Sequence, residues 1–389
     1  AYLIGKYKAD AGIMISASHN SAEYNGIKMF SGDGYKLPDV LEEEIESIVI
    51  DNTKEFKPVE GAEVGKVTYA ENAVKYYVEH LTSTVPNSLE GIKIAVDCAN
   101  GSASMTAKHL MEQLGAEATV LFDNPDGTNI NEDCGSTHME NLSKFVVENK
   151  MDIGIAFDGD SDRIGVVDSQ GNPMTGDKLL LIYALEMIKD LGTRVSVVSE
   201  VKCSQVLYDT INNTGAKAIM SKTGHGYIKE KMKETGALLG GEMSGHTFFK
   251  DRYFGFDDAI YAGCRMIEII SNHKKTDKSF KVEELLEPFN KVFTSSEVRY
   301  PCPNELKKST LEHMKSTVEN NPDMFGSKIE EIVTLDGMRI VFKGGFALIR
   351  QSNTEPVFTL RFEANNEQEC NRFKDAMINC LDEYLKAKV

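Results

Sequence analysis

The sequence is short of several things, and each shortage removes a class of function. No apolar run approaches the ~20 residues that cross a bilayer, and no signal peptide opens the chain. A membrane is therefore not an expected partner, and the expected location is cytoplasmic. The seven cysteines (Cys98, Cys134, Cys203, Cys264, Cys302, Cys370 and Cys380) are scattered and odd in number, and they form no Cys-x-x-Cys pair. That pattern fits reduced thiols better than a disulfide framework or a zinc site. Positive charge is scarce: 43 Lys and Arg against 60 Asp and Glu leave a formal net charge of -17. Nucleic acid needs a basic footprint and is not expected either. Short-period repeats and low-complexity tracts are also missing.

What is present is globular material. The chain has 41% apolar and 26% charged residues, and its 389 residues exceed one ordinary domain. It opens on Ala1 inside what reads as an amphipathic helix, so the natural sequence is expected to begin earlier. Strand-like runs alternate with longer helical stretches, which reads as α/β. The runs 11–15, 92–96, 118–122, 153–157, 195–199, 218–221 and 237–240 read as strands. Stretches near 38–49, 139–149, 204–212, 228–234 and 257–270 read as helices, and one helix ends near Leu114. Residues 51–66 are irregular and charged. From about Val292 the pattern changes. Runs at 296–300, 329–335, 338–342, 346–350 and 358–363 are joined by short turns and closed by a helix from about Gln368. That is an α+β pattern with an antiparallel sheet.

Four loops concentrate the chemistry. In Asp158-Gly159-Asp160-Ser161-Asp162, three carboxylates at i, i+2 and i+4 directly follow a strand. They repel one another unless a hard cation takes their oxygens. An EF-hand is excluded, because Arg163 stands where Gly is required, Ser169 where Glu is required, and a strand precedes the loop. An acidic surface turn stays open. Arg163 is suited to hold a phosphate oxygen. In the second loop, strand 11–15 runs into Ser16-Ala17-Ser18-His19-Asn20. The Gly-x-Ser-x-Gly elbow of serine hydrolases is absent. Ser18 is either a covalent phosphoryl carrier or an ordinary capping serine, and Lys28 either a base, a phosphate contact or a solvated lysine. In the third, Gly241-Glu242-Met243-Ser244-Gly245-His246 is either a set of groups able to bind sugar hydroxyls or a plain polar turn; His225 is either a further contact or a structural histidine, and Lys202, after a strand end, is able to point into the same cleft. The fourth, Arg350-Gln351-Ser352-Asn353-Thr354-Glu355-Pro356, suits a phosphate, and equally an ordinary turn.

Taken in order, these four motifs make the chain resemble the α-D-phosphohexomutases over essentially its whole length. The resemblance implies related mixed-sheet α/β domains and a C-terminal α+β, TATA-binding-protein-like domain around a central cleft. The implied domains are 1–85, 86–190, 191–290 and 291–389. It implies a phosphoserine at Ser18, with Mg²⁺ on Asp158, Asp160, Asp162 and Ser18. It also implies catalytic roles for Lys28, His19 and Arg163, and substrate contacts from Lys202, His225, Glu242, Ser244, Arg350, Ser352, Asn353 and Thr354. The substrates would be hexose phosphates, with hexose 1,6-bisphosphate as intermediate and activator. Both a monomer and a dimer are open.

The preferred sugar is read from mixed signals. Met243, Lys222-Thr223-Gly224-His225, Ser352-Asn353-Thr354 and the stretch 251–258 resemble phosphomannomutase/phosphoglucomutase. The stretch 129–138 and the run around Ser18 resemble phosphoglucosamine mutase, which usually has Gln at position 243 and Gly at 353. The loop facing the sugar is given precedence, so mannose and glucose are expected. The alternatives are phosphoglucosamine mutase, a non-catalytic sugar-phosphate-binding fragment and a metal-dependent phosphatase. Ser21 stands where the family usually has Pro. The family's N-terminal Gly-Thr-x-Gly-x-Arg-Gly-type segment is not among these residues. The first domain is therefore expected to be incomplete and the chain weakly active or inactive.

Overall fold

The structure is a computed structural model and describes residues 1–50, 56–85, 89–352 and 355–388. It divides into two compact units. The first holds Ala1–Asn172 with Asp258–Asn272, and the second holds Pro173–Asp257 with the residues from His273 onward.

In the first unit, strands Ala11–Ile15 and Ile27–Ser31 form an antiparallel pair. Four other strands of this unit lie in the order Glu117–Leu121, Lys93–Asp97, Ile153–Phe157, Ile164–Val167. The first three are parallel and the last is antiparallel to its neighbour. Every residue of Ile153–Phe157 is buried, which is why it reads as an unbroken apolar run rather than an alternating one. On one face Ala156 packs with Leu142 and Val146 of helix Glu140–Glu148. On the other, Gly263 of helix Ala259–Thr276 lies against Ile155 and Phe157. A strand so enclosed fixes the position of the loop that leaves it.

The second unit has two sheets. One runs Thr247–Phe249, Leu239–Gly241, Ser196–Glu200, Lys217–Ser221, with only the first strand antiparallel to its neighbour. The other is antiparallel and runs Phe293–Thr294, Val357–Ala364, Gly345–Gln351, Met338–Phe342, Ile329–Val333, with Val298–Pro301 also pairing to Val357–Ala364. Period-two alternation sorts its side chains. Met338, Ile340, Ala347, Ile349, Phe358, Leu360 and Phe362 form a core with Phe373 and Met377 of helix Glu367–Lys386. The intervening positions bury Arg339, Arg361 and Glu363 on the opposite face. The Arg339 guanidinium carbon lies over the Phe346 ring, 3.6 Å from its centroid. Its guanidinium donates to the carbonyls of Val201 and Cys203 and to Gln205 Oε1. Arg361 Nη1 donates to the Lys202 carbonyl at 2.9 Å. Three consecutive carbonyls are thus gripped by two arginines.

The expected α/β character and the C-terminal antiparallel sheet are both present. Strand and helix ends shift by a few residues from their sequence positions. Helix Ala259–Thr276 runs further than expected, through the basic stretch 273–275, where cations complement a helix C-terminus. Helix Gly176–Leu191 escapes sequence reading because it is buried on most sides and lacks an amphipathic period. Helices Ala73–Thr84 and Asn304–Asn320 and strands Ile27–Ser31 and Ile164–Val167 are likewise additions.

Arg339→Ala should lower stability by about 3 kcal/mol or more, since it leaves buried carbonyls without donors. Arg339→Lys should recover only part of this, because an ammonium cannot reproduce the guanidinium fork. Urea unfolding of the three proteins measures both effects.

Candidate active site

The acidic loop leaves strand Ile153–Phe157 and wraps around its own first carboxylate. Asp158 is fully buried, and its Oδ1 accepts the backbone N–H groups of Asp162 and Arg163, both at 3.1 Å. Its Oδ2 accepts the Ser18 hydroxyl at 3.0 Å, and Arg163 Nε lies 3.9 Å from the same oxygen. Burial, and then the charges of Asp162 and Asp160, push the Asp158 carboxyl up to about 7. Lys28 answers the other two carboxylates, donating to Asp160 Oδ2 at 2.5 Å and Asp162 Oδ2 at 2.8 Å. Burial opposes the lysine's charge, but Asp162 and Asp160 outweigh it and hold the ammonium pKa above its ordinary value. Lys28 reaches the loop because strand Ile27–Ser31 pairs with the strand that leads to Ser18.

The serine loop is held in an unusual shape. Ser18 has φ 55°, the left-handed region that residues with a Cβ seldom adopt. Its N–H donates to Ser16 Oγ at 2.9 Å, and its hydroxyl lies 3.3 Å from His19 Nδ1. Asn131 Nδ2 donates to the carbonyls of Ser18 and Asn20, at 2.9 and 2.8 Å. Gly159 lets the two loops meet, since a Cβ there would lie 2.6 Å from the Ser18 carbonyl oxygen. Ser18 and Asp160 line a cavity of about 400 Å³ together with Asn20, Tyr24, Asn100 and Asn129.

The remaining described candidates lie in the second unit. Glu242 Oε1 accepts the Gly224 N–H at 2.9 Å, and Oε2 pairs with His246 Nδ1 at 2.9 Å. Ser244 Oγ lies 3.1 Å from the same nitrogen. Burial works against the Glu242 charge, but His246 and the Gly224 N–H hold its carboxyl below the ordinary range. Gly176 allows this loop to close down, because a Cβ there would lie 2.0 Å from the Glu242 carbonyl oxygen. Glu200 Oε1 accepts the Met243 N–H at 2.9 Å and lies 3.7 Å from Lys202 Nζ. Burial raises the Glu200 pKa, and Lys202 opposes the rise. His225 Nδ1 lies 3.7 Å from Asp257, and burial followed by the Lys229 charge lowers its pKa. Arg350 Nε pairs with Asp336 Oδ2 at 3.1 Å, and that oxygen also accepts the Thr223 N–H at 3.0 Å. Arg350, Lys222 and Tyr227 border a cavity of about 270 Å³. Ser352 Oγ accepts the Glu355 N–H. The expected contacts Asn353 and Thr354 lie outside the described residues.

Comparison with known proteins gives this geometry a family. Four profiles of the phosphoglucomutase/phosphomannomutase family match in order: alpha/beta/alpha domain I at residues 1–56, domain II at 75–171, domain III at 175–289 and the C-terminal domain at 297–379. The phosphoglucosamine mutase of Acetivibrio thermocellus is 35% identical over 386 residues, 99% of this chain and 81% of that protein. The chain belongs to the α-D-phosphohexomutase family. The phosphoglucosamine mutase of Clostridium beijerinckii is 37% identical over 98% of this chain and 81% of its own length. The crystal structure of a phosphoglucomutase/phosphomannomutase family protein from Burkholderia thailandensis has a TM-score of 0.80 and 33% identity, covering 96% of this chain and 76% of that one.

A phosphohexomutase is an isomerase that moves a phosphoryl group between positions of a hexose, and the acidic loop has the makings of its cation site. Oxygens of Asp158, Asp160 and Asp162 lie within 4.8 Å of one another. Asp160 Oδ1 is buried without a hydrogen-bond partner. An oxygen-only, strongly anionic donor set of this kind suits Mg²⁺. The motifs did not single out Asn131, Glu200, Asp336 or Asp97, and His246 was read only as the end of its loop. Asp97 is fully buried and accepts the N–H groups of Ala99 and Gly135 at 2.8 and 2.9 Å. An aspartate at the end of an apolar strand, before a short Cys-Ala-Asn-Gly-Ser loop, is the signal that could have marked it.

Two outcomes follow for this phosphohexomutase. Lys28→Met removes the internal cation, so the metal-free variant should be less stable than wild type. Its Mg²⁺-induced rise in unfolding temperature should exceed the wild-type rise by about 5 °C, as ~2 kcal/mol of extra stabilisation gives. Equal rises in the two proteins, seen by calorimetry, would contradict the competition between ammonium and metal. Burial pushes the Asp97 carboxyl up to about 6, against the two backbone N–H donors. Its folded pKa exceeds the unfolded value of 3.8. The stability it contributes is therefore complete below the unfolded pKa and is lost as pH rises through the folded one. The stability difference between wild type and Asp97→Asn should fall by an amount of order 3 kcal/mol across that window. Urea unfolding at a series of pH values tests this, and a flat difference counts against it.

Proposed function

We propose that the chain interconverts the 1- and 6-phosphates of mannose and glucose by way of a phosphoserine at Ser18. The observation that carries this reading is the Ser18 hydroxyl at 3.0 Å from Asp158, on a loop of three carboxylates. Phospho-Ser18 gives its phosphoryl group to a sugar hydroxyl: the Ser18 Oγ–P bond breaks, a sugar O–P bond forms, and the hydroxyl proton is released. The resulting hexose 1,6-bisphosphate returns its other phosphate to Ser18. Asp158, Asp160 and Asp162 would hold Mg²⁺, which when bound offsets charge on the transferring phosphoryl oxygens. Arg163 and Lys28 add fixed positive charge, and the raised Lys28 pKa keeps its ammonium protonated. His19, beside the Ser18 hydroxyl, is placed to exchange a proton with Oγ.

Glu242 and Ser244 are read as contacts to sugar hydroxyls, with Lys202 and His225 as further ligand contacts. Arg350, Ser352, Asn353 and Thr354 are read as the grip on the phosphate that is not reacting. Lys202 and Arg350 supply positive charge that answers the overall acidity of the chain. The mannose and glucose preference is supported by Met243. A methionine offers no amide to an amino sugar, and its sulfur accepts a hydrogen bond from Arg361 Nη1 at 2.8 Å. A second reading, phosphoglucosamine mutase, is favoured by the names of the two relatives at 35% and 37% identity. The proposed setting is cytoplasmic, because all seven cysteines are free thiols and buried.

A coupled assay with glucose 1-phosphate, mannose 1-phosphate and glucosamine 1-phosphate decides the sugar. The first two should exceed the third in kcat/KM by roughly tenfold or more. The reverse order would select the amino-sugar reading. Intact-protein mass spectrometry should find one phosphate on the wild type and none on Ser18→Ala. Binding of hexose phosphates without turnover or phosphate on Ser18 would mark a non-catalytic binding protein, and release of inorganic phosphate as main product a phosphatase.

A further inference from the structure

Asn131 has no part in the chemistry proposed above, yet its amide holds the backbone carbonyl of Ser18. It is 7% exposed and sits at φ 58°, a left-handed conformation that asparagine tolerates better than most residues. Both amide protons are spent on the serine loop, one on the Ser18 carbonyl and one on the Asn20 carbonyl. The opposite amide orientation would set Oδ1 against two carbonyl oxygens, so the network itself dictates which atom is nitrogen.

The amide is anchored from below. Asn131 N–H donates to the Ala99 carbonyl at 2.9 Å. Ala99 is in turn fixed by its N–H bond to the buried Asp97 carboxylate, whose second oxygen holds Gly135. The clamp therefore rests on the end of strand Lys93–Asp97, inside the parallel sheet. Above it, Ser18 is left-handed and has no glycine to relieve the conformation. A strained residue at a reacting centre persists only where its surroundings over-determine it. Here the surroundings are the Ser16 hydroxyl on the Ser18 N–H, the Asn131 amide on the Ser18 carbonyl, and the space left by Gly159.

We infer that Asn131 is a positioning residue for phosphoryl transfer: its amide holds the carbonyls of Ser18 and Asn20 and so keeps the Ser18 hydroxyl directed at Asp158. The inference rests on the reading of Ser18 as phosphoryl carrier. It differs from a merely structural role in a way that one substitution exposes. Glycine is at ease at φ 58°, so Asn131→Gly removes the amide without straining the backbone.

A structural role alone predicts little change in Asn131→Gly. A positioning role predicts an unfolding temperature close to wild type, an unchanged KM for hexose phosphate and a kcat lowered by about 10- to 100-fold. Amide hydrogen exchange, followed by mass spectrometry, should accelerate across residues 16–21. Asn131→Asp replaces donors by an acceptor facing two carbonyls and should lose more kcat than Asn131→Gly. A wild-type kcat in Asn131→Gly overturns the inference. Failure of the carrier reading looks different, because Ser18→Ala would then turn over like wild type. In that case unchanged exchange across 16–21 in Asn131→Gly overturns the clamp, and accelerated exchange upholds it.

Discussion

Three aspartates on a five-residue loop, one of them without solvent contact, are first of all an electrostatic problem. Carboxylates a few ångströms apart repel one another, and removal from water multiplies the repulsion. Nearly every neighbour of the loop is an answer to that charge. Backbone N–H groups of Asp162 and Arg163 close on Asp158, the Ser18 hydroxyl donates to it, and Lys28 bridges Asp160 and Asp162. The loop is tied down at its crest, where Ser161 Oγ meets Ser102 Oγ at 2.7 Å and the Ser161 carbonyl accepts the Ala259 N–H at 3.0 Å. Local neutralisation is incomplete, since Asp160 Oδ1 finds no donor. A divalent cation would complete it, so the affinity of the loop for metal and the strain of folding without metal have a common origin.

The second unit handles charge the other way. Its cations are held by carboxylates that are themselves fixed by backbone donors. Asp336 takes the Thr223 N–H and orients Arg350. Glu200 takes the Met243 N–H and faces Lys202. Glu242 takes the Gly224 N–H and pairs with His246. In each case one carboxylate couples a loop's backbone to a side chain with affinity for anions or hydroxyls. Loop position and side-chain direction are therefore set together, which limits the reorganisation needed when a charged ligand arrives.

Much of this was legible in the sequence, and the reasons differ by residue. The Asp158 loop was visible because three carboxylates at i, i+2 and i+4 directly follow an apolar run, and the other three motifs gave it a task that the spacing alone left open. The C-terminal antiparallel sheet was visible through its alternation and short turns. Helix Gly176–Leu191 was not, because burial on most sides erases the period that marks a helix. Asn131 and Asp336 were not, because a lone Asn or Asp in a turn usually caps its own backbone. Only the fold brings Asn131 to Ser18, which lies 113 residues away. The Ser18 and His19 contact was left open by adjacency in sequence and is decided by the left-handed turn at Ser18.

The grip of Arg339 and Arg361 on the carbonyls of Val201, Lys202 and Cys203 has a bearing on how such a protein can diversify. Carbonyl oxygens are common to all residue types, so the anchor does not read the side chains it holds in place. A substitution at 202 would change what is displayed there without loosening the platform beneath it. Specificity can then drift by single exchanges on a fixed scaffold, as long as the two arginines stay.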